Sequence, residues 1–126
     1  MKIYYREKSG GIEILRCFGI EGRVEIPGMI DGKLVISAAP YAFSSHMDEK
    51  EELKNASLWE VSEGLGFGRE EHVLAGNDVE EIVFPYTLKE IGRYIFYGCG
   101  NLKKLEFSDS LMQIGCGAFT GCHWRS

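Results

Sequence analysis

Apolar and turn-forming residues recur in the second half of the chain at a fixed spacing of 23 positions. The matched pairs are Ile82 with Leu105, Phe84 with Phe107, Leu88 with Leu111, Ile91 with Ile114, Gly92 with Gly115, Phe96 with Phe119, Gly98 with Gly121 and Cys99 with Cys122. A unit of this length makes too few internal contacts to bury its apolar side alone. The repeat therefore predicts stacked coils in which like side chains lie over like, with about 4.8 Å per step.

Each coil is expected to begin with a short strand. In the segment 79–84, alternation predicts that Ile82 and Phe84 point inward and that Glu81 and Val83 point outward. The glycines that recur at the 23-residue spacing, such as Gly92 and Gly98, are expected where the coil bends and a Cβ atom would clash.

The spacing continues towards the N terminus in weaker form. Residues 56–78 place apolar side chains at several of the repeat positions, which predicts a degenerate coil in phase with 79–101. An earlier unit begins around Ile26-Pro27 and contains a five-residue expansion with an Asp-Gly turn. After this expansion, Val35, Ala38 and Phe43 keep the spacing of Leu88, Ile91 and Phe96. Between them, Ser45 and Asp48 make a capping box, which predicts a short helical insertion over 44–55.

The first 19 residues alternate between apolar and polar types in two runs. Ile3–Arg6 and Ile12–Phe18 are joined through Lys8-Ser9-Gly10-Gly11, a pattern typical of two strands in a hairpin. Such a hairpin would cap the open ladder of the first coil. The C-terminal end shows no equivalent cap.

The repeat resembles the BspA-type leucine-rich repeat, with its pattern I-x-I-P, V-x-x-I-G-x-x-A-F-x-x-C. The best match is Ile114-Gly115-Cys116-Gly117-Ala118-Phe119-Thr120-Gly121-Cys122, and good matches cover 20–43 and 79–124. Departures are Ala38, Ala39 and His46 at the Ile, Gly and Cys positions, and the whole of 56–78. The resemblance implies a right-handed β-rich solenoid. It also implies a relationship to interaction modules and surface adhesins that bind host matrix proteins or other cells.

These observations predict one leucine-rich-repeat domain over 1–126, with about four coils of about 23 residues. The predicted parts are an N-terminal hairpin cap (1–19), a first coil with its insertion (20–55), a degenerate coil (56–78) and two regular coils (79–101 and 102–124).

Charge argues against nucleic acid as a partner. The net charge is −5, and residues 46–81 hold 11 acidic against 3 basic side chains. An acidic middle repels phosphates and offers no basic stripe. No membrane span or signal-peptide pattern is visible, so we expect a cytoplasmic protein for the chain as given, and a cell-surface protein if it is a piece of a longer one.

Candidate chemistry is sparse. Cys99 and Cys122 share a ladder position, so their thiols are expected to be close and either free or bridged. The histidines His46, His72 and His123 are scattered, and Gly64-Leu-Gly-Phe-Gly lacks the Lys-Ser/Thr of a phosphate loop. We therefore predict no catalytic residues, no metal and no cofactor. An enzyme or metal protein with a site in 46–78 is the remaining alternative.

A binding surface is the predicted function. The outward strand positions are expected to line one sheet face and to contact a protein partner of unknown identity: Glu25, Leu58, Glu60, Glu81, Val83, Lys104 and Glu106. The alternative is a merely solvated face, with Glu81 and Lys104 as a cross-strand pair. The uncapped last coil leaves two further readings open, a natural continuation of the chain and a homodimer through that edge.

Overall fold

We analysed a computed structural model, in which the structure describes residues 2–19, 22–44, 56–60, 72–107 and 110–118. The regular structure of the described ranges is almost entirely β-strand, with one short 3-10 helix. The elements are β1 (Lys2–Lys8), β2 (Gly11–Gly19), β3 (Arg23–Glu25), β4 (Met29–Ile30), β5 (Lys33–Ala38), β6 (Ser57–Glu60), β7 (His72–Val73), a 3-10 helix (Gly76–Asp78), β8 (Glu81–Val83), β9 (Glu90–Ile91), β10 (Lys104–Glu106) and β11 (Gln113–Ile114). Within these ranges no helix has the length and apolarity needed to cross a membrane.

The strands form two sheets that enclose the core. Sheet A has the order β11-β9-β5-β2-β1-β6, with β4 added to β5 and β7 added to β2. Sheet B has the order β10-β8-β3 and is parallel throughout. One apolar cluster joins the inner faces of both sheets, so the side chains of the repeat share a single core.

Three repeat units stack within the described residues, each giving one strand to sheet B and one to sheet A. Unit 1 comprises 22–44 together with 76–78, unit 2 comprises 79–101, and unit 3 is described over 102–107 and 110–118. The predicted stacking of like on like is confirmed where both partners are described. Ile82 pairs with Leu105 in sheet B, and Ile91 pairs with Ile114 in sheet A.

The prediction that residues 56–78 form a coil beneath 79–101 is wrong in its strand placement. Strand β8 lies directly between β3 and β10, so unit 1 is the immediate neighbour of unit 2. Strand β6 instead pairs antiparallel with β1, with Trp59 opposite Ile3 at the far edge of sheet A. The described strands therefore stack three units rather than the predicted four.

The end of the predicted degenerate segment does belong to the repeat. The amide of Gly76 donates to the carbonyl of Phe43, and the amide of Val79 donates to Gly76, as that of Leu102 donates to Cys99. Gly76–Asp78 thus completes unit 1, although residues 45–75 separate it in the sequence from the rest of that unit. The predicted helical insertion spans 44–55, of which only Ser44 lies within the described residues.

The repeated glycine at the sheet A bend is required by close backbone contact between units. A Cβ atom on Gly92 would lie 2.3 Å from the Pro40 nitrogen, and one on Gly115 would lie 2.3 Å from the Arg93 nitrogen. The equivalent position in unit 1 is Ala39, which follows β5 and donates its amide to Ile14 of β2. In sheet A the neighbour of unit 1 on that side is strand β2 of the hairpin, and Ala39 is buried beside it.

The predicted N-terminal hairpin is confirmed. Strands β1 and β2 pair antiparallel from Lys2 with Phe18 to Lys8 with Gly11, and Ser9 and Gly10 turn the chain with positive φ angles of 52° and 80°. Strand β2 then pairs parallel with β5, so the hairpin covers the sheet A ladder at the unit 1 end. In sheet B, by contrast, β3 is the edge strand at the unit 1 end within the described residues.

Candidate functional site

The outer face of sheet B contains five of the seven predicted binding residues. Alternation along each three-residue strand buries the central side chain, as for Val24 and Ile82, and turns its two neighbours outward. We call the resulting surface the ladder face; its members are Arg23, Glu25, Glu81, Val83, Lys104 and Glu106.

The parallel register arranges the ladder face in two rows. One row runs Arg23, Glu81, Lys104 across the three strands. The second row runs Glu25, Val83, Glu106. The face therefore has a row of alternating charge beside a row with two carboxylates around one apolar side chain.

Ion pairs on this face join neighbouring strands and neighbouring positions. The Arg23 Nε atom lies 3.2 Å from Glu81 Oε2, and the Lys104 Nζ atom lies 3.1 Å from Glu106 Oε1. The predicted proximity of Glu81 and Lys104 is right in register, but the ion pair observed at Glu81 is formed with Arg23. All four charged side chains are more than a third exposed, so water and salt screen these pairs.

Leu58 and Glu60 do not belong to the ladder face, and their predicted place on it is wrong. Both lie on β6, which is paired with β1 in sheet A, and Leu58 is opposite Tyr4. A strand with alternating apolar and polar residues can pair with any open sheet edge. Here β6 pairs with the hairpin strand β1.

A second polar cluster, which the sequence analysis missed, lies on the outer face of sheet A. Its central row runs in register across five strands: Arg6, Glu13, Ser37, Glu90 and Gln113. Lys8 bridges two strands of this row, with its Nζ atom 3.2 Å from Glu13 Oε2 and 2.6 Å from Glu90 Oε1. The Ser37 hydroxyl lies within hydrogen-bond distance of both carboxylates, at 3.2 and 3.0 Å, and can donate its one hydrogen to either. A pocket of about 260 Å³ opens beside these groups.

The carboxylate of Glu13 is almost fully buried on this face, at 2% exposure, and Arg6 and Lys8 compensate its charge. The Lys8 hydrogen bond lowers the pKa of Glu90, against the opposing effect of burial, and the bond to Glu90 raises the pKa of Lys8. These contacts join the hairpin to unit 2 across β5. The cluster is therefore an electrostatic connection between the cap and the repeat.

A buried arginine makes a further connection between the cap and unit 1. Arg16 of β2 is 1% exposed and donates from Nη1 to the carbonyls of Tyr41 and Ala42, at 2.8 and 3.1 Å. The turn that it contacts contains Tyr41 in a left-handed conformation (φ 61°), as does Tyr94 at the same position of unit 2 (φ 52°), and their rings stack.

The described thiols differ in access. Cys17 and Cys99 are buried, and Cys116 is exposed. Burial raises the pKa of Cys17 to about 12, and the Cys99 thiol donates to the Phe43 carbonyl. The predicted contacts of Cys122 with Cys99 and of Phe119 with Phe96 involve residues outside the described ranges. Among the described side chains, no group of three His, Cys, Asp or Glu residues could hold a metal ion.

Little of the segment proposed for an alternative site is described. Of residues 46–78, the structure describes 56–60 and 72–78. His46, His123 and the glycine-rich stretch beginning at Gly64 fall outside those ranges, and His72 contributes backbone pairing to β2. The alternative of a site in 46–78 stays a prediction.

Comparison with known proteins gives the family of the repeat. Residues 70–126 match the sequence model described as BspA type leucine-rich repeat region (6 copies). No curated protein matches the sequence. The crystal structure of a leucine-rich repeat protein of T. pallidum is similar over 93% of this chain and 42% of its own, with 24% identity and a TM-score of 0.65.

A second solved structure is similar in the same way. A leucine-rich cell surface protein from Faecalibacterium prausnitzii A2-165 matches 94% of this chain and 26% of its own, with 19% identity and a TM-score of 0.61. This chain thus spans less than half the length of either protein, and at these identities the likeness concerns the fold. The chain therefore has a fold like that of these leucine-rich-repeat proteins, and its residues 70–126 match the BspA-type leucine-rich repeat region.

Proposed function

We propose that this chain is a non-catalytic protein-interaction module and that the ladder face is the centre of its contact with a protein partner. The observation that supports this most directly is the in-register double row of outward side chains on a short parallel sheet. Its positions are fixed by buried residues of three stacked units, so binding there would order few side chains. In this proposal the units follow a right-handed solenoid, as nearly all parallel crossover connections do.

The size of the ladder face limits the interface. Three strands of three residues give a surface of about 10 Å by about 14 Å. A standard interface takes roughly 800 Å² from each partner. The partner must therefore also contact residues flanking the ladder face. The charged side chains of the ladder face suit a polar complex that forms and dissociates quickly better than an obligate complex.

The chemistry of the ladder face favours binding over catalysis. Its charged side chains are exposed, with Arg23 paired to Glu81 and Lys104 to Glu106, and no desolvated base or nucleophile lies among them. Carboxylates dominate its second row, so we expect the partner surface to present lysine or arginine side chains to Glu25 and Glu106.

The test compares two charge reversals in affinity capture with quantitative mass spectrometry. The Glu25→Lys variant should lose the specific partner, because it removes the net negative charge of the second row without touching the core. The Glu7→Lys variant, at an exposed position of β1, makes the same charge change elsewhere and should retain that partner. Equal retention by both variants would place the interface away from the ladder face.

A cell-surface adhesin fragment is the second candidate. It is supported by the likeness to the Faecalibacterium prausnitzii cell surface protein, of which this chain matches about a quarter. Binding of the purified chain to a panel of extracellular matrix glycoproteins, measured by biolayer interferometry, tests it. Saturable binding that Glu25→Lys weakens would support adhesion, and uniform non-binding would argue against it.

A further inference from the structure

The third repeat unit is the last one that the structure describes, and its core residues are partly uncovered. In sheet A the column Ala38, Ile91, Ile114 is 1%, 3% and 51% exposed. In sheet B the column Val24, Ile82, Leu105 is fully buried in its first two members and half-buried in the third. Within the described ranges, therefore, the open edges of β10 and β11 lie on one partly apolar end of the molecule.

We infer that two copies of this chain associate through this end, with β10 of one copy antiparallel to β10 of the other and the two-fold axis at Leu105. This is a property beyond the proposed partner binding: it uses the backbone edge of β10, together with Lys104 and Glu106, the ladder-face residues on that strand.

The backbone of β10 places the right groups at that axis. The Lys104 amide donates to the Glu80 carbonyl, and the Glu106 carbonyl accepts from the Phe84 amide, so these two residues turn their backbone groups to β8. Backbone groups alternate in direction along a strand, so the N–H and C=O of Leu105 face the open edge. Antiparallel pairing centred on Leu105 then joins each of these groups to its counterpart in the second copy.

The charges of β10 are complementary to themselves in this arrangement. With Leu105 opposite Leu105 of the second copy, Lys104 lies opposite Glu106 of that copy, and Glu106 lies opposite its Lys104. Both side chains are about half exposed in the single chain, where they pair with each other, so the two-fold arrangement exchanges that one pair in each copy for pairs between the copies. A two-fold pair thus has two attractive cross-strand contacts and no like-charge contact between the paired positions.

The opposite end of the molecule favours a closed pair over a filament. In sheet A the unit 1 edge is occupied by the hairpin, because β2 pairs with β5 and β1 and β6 lie beyond it. A head-to-tail contact that continued the repeat in both sheets would need the position beside β5, which the hairpin strand β2 already fills. A contact of the open end with its own copy is isologous and closes at two.

The test is sedimentation equilibrium on the full chain from 5 to 500 μM, because an edge of three residues gives a weak dimer. We expect concentration-dependent dimerisation of the parent. Lys104→Glu and Glu106→Lys should each weaken it by about tenfold or more, since each creates two like-charge contacts. A mixture of the two variants should dimerise like the parent, because every cross-strand contact is then attractive.

The matched control is Glu25→Lys, which makes the same charge change in the same row at the other edge of sheet B and should leave dimerisation unchanged. The recovery in the mixture also shows that the single variants are folded. A parent chain that is monomeric throughout the range overturns the inference. So does a dimer that ignores the two β10 variants, or one that Glu25→Lys weakens equally.

Discussion

Phe43 and Phe96 stack with their ring centroids 5.9 Å apart and their planes at 22°, although 53 positions separate them in the chain. They occupy the same position in units 1 and 2, and both are completely buried. Phe84, which follows β8 in sheet B, packs against both rings with centroid distances of 6.3 and 6.2 Å. The core of the repeat is therefore centred on three aromatic rings that come from both walls.

Truncation of this aromatic core should be costly in unit 2 and cheap in unit 3. Phe84 is 4% exposed, while Phe107, at the same position of unit 3, is 41% exposed. We expect Phe84→Ala to lower the free energy of unfolding by about 3–5 kcal/mol, and Phe107→Ala by roughly 1 kcal/mol. Urea unfolding followed by circular dichroism measures both. Equal losses would show that unit 3 is as well covered as unit 2.

Two substitutions, Gly92→Ala and Gly28→Ala, should distinguish a glycine that close backbone contact requires from one where alanine only restricts the unfolded chain. A Cβ atom on Gly92 would meet the backbone of Ala39 and Pro40, which cannot move aside without shifting unit 1. We expect a loss of about 1–3 kcal/mol or more. A Cβ atom on Gly28 would lie 3.7 Å from its nearest neighbour, so Gly28→Ala should be neutral or up to about 1 kcal/mol stabilising.

Thermal unfolding of the two glycine variants gives the comparison. A Gly92→Ala chain as stable as Gly28→Ala would contradict the direct backbone contact between units 1 and 2. It would then reopen the placement of a further coil between them.

That placement marks the limit of what the sequence could predict. The spacing of 23 predicted the pairing of Ile82 with Leu105 and of Ile91 with Ile114, because only stacked units give like residues one shared environment. It misplaced Trp59, since apolar residues at a given offset fit any half-buried strand. Whether such a strand joins the ladder or the hairpin edge depends on which partner is open, which spacing does not record.

The polar cluster of sheet A was missed for a related reason. Lys8, Glu13 and Glu90 are ordinary outward residues of three separate strands, and only the parallel pairing of β5 with both β2 and β9 brings them together. The available signal was modest: outward polar positions on neighbouring predicted strands with opposite charges. The ladder face was easier, because its partners are related by the repeat itself.

The contact of Lys8 with Glu90 should make stability depend on pH at both extremes. The pKa of Glu90 is lowered by the bond from Lys8, so its contribution is present above the pKa of the unfolded chain, near 4.3, and is lost as the pH falls below it. The pKa of Lys8 is raised by the bond to Glu90, so its contribution is complete below about 10.4 and is lost as the pH rises further.

Urea unfolding of the parent and of Lys8→Met from pH 3 to pH 11 measures this dependence. The stability difference between them should be largest between about pH 5 and pH 10 and should shrink at both ends. Because Lys8 is partly exposed, added salt should also reduce it. Repeating the comparison in a Glu90→Gln background isolates this pair from Glu13. A difference that does not vary with pH would contradict the assigned contact.

The three described thiols should react in two classes. In a Cys122→Ser background, Cys116 should react with a disulfide reagent at neutral pH at the rate of an accessible thiol, because it is exposed. Cys17 should react only through unfolding, since burial blocks access and raises its pKa to about 12, and Cys99 should follow it because it is buried against the Phe43 carbonyl. Removal of the fast phase by Cys116→Ser is the control. Fast labelling of Cys99 in the folded chain would mean that the turn containing Phe96 and Cys99 opens locally. The core described for unit 2 would then be incomplete.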